Sequence, residues 1–167
     1  MTTRSVLDVV PVMQEMQKLE LALAALYQAC GERFPEEKDF WTAIAQQEEI
    51  HARVIERLAG VIAAHPDQFR VGRQFKAMAV RTIMSGIANY TDQVRRGQLP
   101  RQRAVFVVRD IENSLLEASY SSIVSTDNVE FRQAMDLIAK DTLAHKNLFV
   151  AAAAKAHNMI YGLWFEP

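Results

Sequence analysis

Four stretches of this chain carry apolar residues at steps of three and four, and each breaks its apolar stripe near the middle with an acid or a histidine. The second stretch shows it best: Trp41, Ile44, Glu48, His51, Ile55, Leu58, Ile62. The first gives Met13, Met16, Glu20, Leu23, Tyr27, Cys30, and the third Val105, Val108, Glu112, Leu115, Ser119, Ser122. The fourth gives Met135, Ile138, Thr142, His145, Phe149, Ala152. Steps of three and four keep residues on one side of a helix. The face that each helix must bury therefore contains a carboxylate or an imidazole. An ionised carboxylate is costly to bury unless it is paired or bound to a cation.

Pro11, Pro35, Pro66 and Pro100 punctuate the sequence, and six Gly and five Pro in 167 residues leave room for long helices between them. The pattern predicts a first helix over about 8–33 and a second over about 37–64, ending before Pro66. A shorter helix over 74–95 is expected inside a long crossover of about 66–99. A third long helix is expected from Pro100 to near Ser125, and a fourth over about 128–158 after the turn STDNVE. No stretch alternates long enough to read as a strand. The expectation is a single all-α domain: two helical hairpins joined by a long crossover, a four-helix bundle with up-down-down-up connection. The aromatic tail MIYGLWFEP, with Tyr161, Trp164 and Phe165, is expected to dock on an apolar surface.

Mid-helix positions of an antiparallel bundle lie at similar depth, so the interrupting residues converge. Three carboxylates without Lys or Arg on their stripes repel one another, and a cation reverses the sign. Carboxylate oxygen with imidazole nitrogen suits iron, manganese or zinc. Glu48 and His51, three positions apart, reach one centre. The halves also align. Glu20 and His51 are separated by 31 positions, Glu112 and His145 by 33. IAQQEEIH and IAKDTLAH superpose without a gap, setting Thr142 opposite Glu48 and Asp141 opposite Gln47. A duplicated hairpin accounts for this.

A Glu on one helix and Glu-x-x-His on its neighbour, repeated in the second half, resembles the ferritin-like superfamily of di-iron carboxylate proteins, its rubrerythrin-related branch above all. The resemblance covers the four long helices. It implies a ferritin-like bundle holding two irons, with zinc or manganese as alternatives. It implies Glu20 as first-helix ligand, Glu48 and His51 as the second-helix pair with Glu48 bridging, Glu112 as the third-helix carboxylate and His145 as the fourth-helix imidazole. Thr142 departs from the pattern, which calls for Glu there. Asp141, four positions before His145, and Glu49, beside Glu48, are the candidates to replace the missing carboxylate. The family's rubredoxin-type domain needs four cysteines. This chain has only Cys30, so redox turnover would draw electrons from another molecule.

Three functions stay open: a non-haem di-metal oxidoreductase reacting with dioxygen or peroxide, a non-catalytic iron or zinc protein, and a helical interaction module with a decayed site. Tyr27 and Tyr120 are either donors of hydrogen bonds or electrons near the centre or ordinary core aromatics. Met78, Ile83, Met84, Ile87 and Tyr90 form either a docking surface or the underside of a lid. Arg95, Arg96, Arg101 and Arg103 around Pro100 read as a solvated turn. A formal charge of −1 argues against bulk attraction to nucleic acid or anionic membrane. MTTRSVLDVVPVMQ lacks the long apolar core of a secretory signal, and no apolar run has membrane-spanning length. A cytoplasmic homodimer is the expectation.

Overall fold

The computed structural model describes the backbone of residues 5–73, 77–113 and 122–162, and the side chains of these up to residue 154. Five α-helices lie among the described residues: α1 (Val10–Arg33), α2 (Lys38–Ala64), α3 (Ala77–Arg95), α4 (Arg101–Glu112) and α5 (Val129–Gly162). The class is all-α. None of these helices is long and apolar enough to cross a membrane.

Local chemistry sets the helix ends. Ser5 and Asp8 form a reciprocal capping box on the short 3-10 turn Val6–Val9 that leads into α1. Phe34 and His65 leave helical geometry immediately before Pro35 and Pro66, as the residue preceding proline tends to do. Asn128 caps α5, its Oδ1 accepting from the Phe131 amide at 3.0 Å.

α1 and α2 form the most extensive helix pair. They run antiparallel, since Tyr27 meets Trp41 while Glu20 meets His51. α2 and α5 are also antiparallel: Arg57 pairs with Glu130, His51 with Asp141, and Phe40 lies against Phe149. α4 packs on α5, and its first residue, Arg101, pairs with Glu37 at the start of α2. α1 and α5 thus point one way, α2 and α4 the other. Below the acidic and imidazole groups, Tyr27, Trp41 and Phe149 are fully buried, Trp41 stacking on Phe149 at 5.7 Å between centroids. Burial of each such ring stabilises the fold by about 1.5–3 kcal/mol.

α3 lies along α1. Val80, Ile87 and Val94, spaced by sevens on one face, are buried, and Arg81 pairs with Glu15 of α1 at 3.2 Å. Of the apolar residues expected on this helix, Ile87 is buried, Ile83, Met84 and Tyr90 are half-buried against the core, and Met78 is exposed. The segment is a lid on α1.

Two expectations need correction. The third long helix does not reach Ser125: α4 ends at Glu112, and Val124–Thr126 is a strand. Strands are therefore present, β1 (Phe69–Val71) and β2 (Val124–Thr126), paired antiparallel with Phe69 opposite Thr126 and Val71 opposite Val124. The ribbon ties the end of α2 to the start of α5. It continues into a hydrogen bond from the Gly72 amide to the Ile123 carbonyl at 3.0 Å. A Cβ on Gly72 would stand 2.2 Å from the Ser122 carbonyl oxygen, so only glycine permits that approach. Tyr120, Trp164, Phe165 and the tail's expected docking lie outside the described residues.

Candidate metal centre

The interrupted stripes of α1, α2, α4 and α5 bring Glu20, Glu48, His51, Glu112 and His145 together, each at most 3% exposed. They form two overlapping groups. Glu20, Glu48 and His51 each offer a ligand atom, all within 4.8 Å of one another, and so do Glu48, Glu112 and His145. Glu48 belongs to both. Its Oε2 is 3.1 Å from His51 Nδ1 and its Oε1 is 2.8 Å from His145 Nδ1. The outer carboxylates mirror each other: Glu20 Oε2 is 3.8 Å from His51 Nδ1, and Glu112 Oε1 is 3.8 Å from His145 Nδ1. The imidazole centroids are 6.0 Å apart.

Both histidines turn Nδ1 inward and Nε2 outward. His51 Nε2 meets Asp141 Oδ2 at 3.2 Å, and His145 Nε2 meets Gln47 Oε1 at 2.5 Å. Once a cation displaces any proton on Nδ1, an Nε2–H donating outward would leave each Nδ1 lone pair facing the carboxylates, the tautomer a metal ligand requires. The aligned positions Gln47 and Asp141 thus exchange partners across the α2–α5 seam. Asp141 stands behind His51, in neither carboxylate–imidazole group. Glu49 is also outside both: it is half-buried and accepts from Gln28 Nε2 at 2.8 Å. Thr142, opposite Glu48 in the alignment, is half-buried and adds no carboxylate. Tyr27 Oη donates to Glu112 Oε1 at 2.6 Å, which fixes the third carboxylate from α1. Gln47 is the one supporting residue that sequence reasoning did not single out. The signal was its place opposite Asp141.

The charge state of the metal-free cluster follows from this packing. Burial raises the Glu20 carboxyl well above its ordinary value, and the nearby Glu48 charge adds to that. Burial acts the same way on Glu48, but the close imidazoles of His145 and His51 outweigh it and bring the carboxyl down to about 2. Burial alone would lower His51; contact with Glu20 and Glu48 instead pushes it up to about 10. Glu20 and Glu48 have no Lys or Arg ion pair among the described residues, so protons on the cluster supply the positive charge.

A pH prediction follows from these directions. The His51 contribution to metal-free stability is complete below 6.5 and is lost as pH rises toward 10. That of Glu20 is present below 4.5 and is likewise lost on raising pH. That of Glu48 is present above 4.5 and disappears as pH falls toward 2. Thermal unfolding of chelator-treated protein is expected to show greatest stability at mildly acidic pH, with a decline through the alkaline range. A divalent cation replaces those protons, so its uptake is expected to release them and to tighten with pH. Calorimetry in buffers of different ionisation enthalpy reads the release directly. Proton-neutral uptake would contradict the assignment.

No protein-family model, no curated protein and no solved structure matches the chain.

Proposed function

We propose that this protein is a metal-binding helical protein of ferritin-like type, with two neighbouring cations held by Glu20, Glu48, His51, Glu112 and His145, and that it acts as a non-haem di-iron oxidoreductase on dioxygen or peroxide. The observation that carries the reading is Glu48, which sends one oxygen toward each of two inward-facing imidazole nitrogens deep in an apolar core. His145 Nδ1 is buried and has no aligned hydrogen bond despite lying 2.8 Å from Glu48 Oε1. Two electron-pair donors aimed at a common point fit a cation better than they fit each other.

Iron bound there would supply electron transfer to dioxygen or peroxide. Within the chain, Glu20, Glu48 and Glu112 offset the cation charge, and His51 and His145 each orient one position. Asp141 and Gln47 hold the rings from behind. Tyr27 holds Glu112 and keeps a phenolic proton at the edge of the centre. Cys30 is the one cysteine of these 167 residues, so turnover calls for a reductant other than a cysteine-based centre among them.

Thr142 favours a second reading, a non-catalytic iron or zinc site, because it leaves one carboxylate fewer than a symmetrical di-iron centre has. Metal analysis of protein purified without chelators separates the two. Two irons per chain with an iron-dependent visible absorption, absent from Glu48→Ala and His51→Ala, are expected. A single zinc resistant to reductant would replace the oxidoreductase by the binding role, and no metal after iron-replete expression would remove both.

A further inference from the structure

Among the described residues, a groove of about 290 Å³ reaches the carboxylate–imidazole cluster along the seam of α2 and α5. Ile50 and Val54 of α2 and Leu137 and Ile138 of α5 form its walls; His51 and Asp141 lie at its inner end. Ile50 is 48% exposed and Leu137 56%, whereas His51 behind them is 2% exposed. The backbones of α2 and α5 approach each other less closely than those of α1 and α2, which leaves room for the groove between their side chains.

The groove's charge pattern selects its visitor. Arg57 and Glu130 stand at the rim and pair at 3.1 Å, so the mouth carries no net charge, and the one remaining charged group of the lining, Asp141, is held against His51. Between the rim and Asp141 the lining is mostly aliphatic, with Gln133 the one further polar side chain, and offers a polar solute little to replace its water. A small, uncharged, apolar molecule loses nothing on that path. We propose that the α2–α5 groove is the binding and entrance site for dioxygen, delivering it to the His51 side of the cluster. This rests on the oxidoreductase reading for its purpose, but the site itself is a property of the metal-free chain.

The test therefore uses metal-free protein. Dissolved dioxygen is paramagnetic and speeds nuclear relaxation wherever it dwells. Oxygen-induced relaxation is expected to be stronger at the Ile50, Val54, Leu137 and Ile138 methyls than at the exposed methyls of Leu21 and Leu143. It is also expected at the His51 ring protons, where a soluble gadolinium chelate has no effect. Leu137→Trp and Ile50→Trp, at tolerant exposed positions, are expected to cut the His51 effect severalfold. Leu143→Trp, equally exposed but outside the groove, is expected to leave it unchanged. Groove methyls no more affected than the exposed controls would overturn the proposal. So would a His51 effect that survives both tryptophans. Separate calorimetry with cobalt(II) reports whether the metal reading holds, so the two can fail independently.

Discussion

Glu48→Gln is expected to abolish cation binding at both positions at once, whereas Glu20→Gln or Glu112→Gln is expected to weaken one. The asymmetry comes from geometry: Glu48 alone belongs to both ligand groups. Loss of a direct ligand should exceed the ~10–100-fold that loss of a supporting hydrogen bond costs. Cobalt(II) titration followed by visible absorption and equilibrium dialysis reads both steps. The same substitution has a second, metal-independent consequence. It takes from the buried, protonated His51 its closest carboxylate on the Nδ1 side, leaving Glu20 at 3.8 Å and the half-buried Asp141 behind Nε2, and breaking a buried ion pair from one side typically costs about 3–5 kcal/mol. Removing the whole cluster should do the opposite. Glu20→Met, Glu48→Met, His51→Leu, Glu112→Met and His145→Leu, combined with Tyr27→Phe so that no hydroxyl loses Glu112, should be neutral or stabilising by about 1–4 kcal/mol. Urea unfolding of the metal-free variants decides between the two. If the fully apolar variant is less stable than Glu48→Gln, the cluster holds the fold together and is not a site kept at the fold's expense.

The parts of this molecule that periodicity controls were legible in the sequence. α1 and α2 fall within two residues of their expected ends, because Pro35 and Pro66 stop them wherever the stripes lead. The convergence of Glu20, Glu48, His51, Glu112 and His145 was legible for a related reason: steps of three and four on long helices fix direction as well as depth. The ribbon was not legible. Phe69–Val71 and Val124–Thr126 are three residues each, too short for alternation to register, and each needs a partner more than fifty residues away. The end of α4 was missed because apolar spacing continues past Glu112, and spacing alone does not mark a helix end. Asp141 was noticed as a carboxylate near the stripe. Its post behind His51 follows from the crossing of α2 and α5, a tertiary fact that no single helix encodes. Gln47 was hidden for the same reason.

That crossing carries the second large effect. Asp141→Asn is expected to weaken the first cation bound by about 10–100-fold while leaving the second nearly untouched. His51 and His145 present the same inward nitrogen, and their outer carboxylates stand at the same 3.8 Å. What differs is the acceptor behind each ring: a carboxylate 3.2 Å from His51 Nε2, a neutral amide 2.5 Å from His145 Nε2. A charged acceptor makes the imidazole a stronger donor to a cation than an amide does. The His51 position therefore fills first, and the two steps of a cobalt(II) titration should separate. Gln47→Glu is the converse: it should tighten the second step and bring the two together. The pair of variants also excludes a purely structural role. If Asp141 only fastened α5 to α2, its loss would weaken both steps alike, and a carboxylate at position 47 would tighten neither. Either result would mean that the two imidazoles are equivalent toward metal, and that the Asp–Gln difference between the halves of the chain has no bearing on what the centre holds.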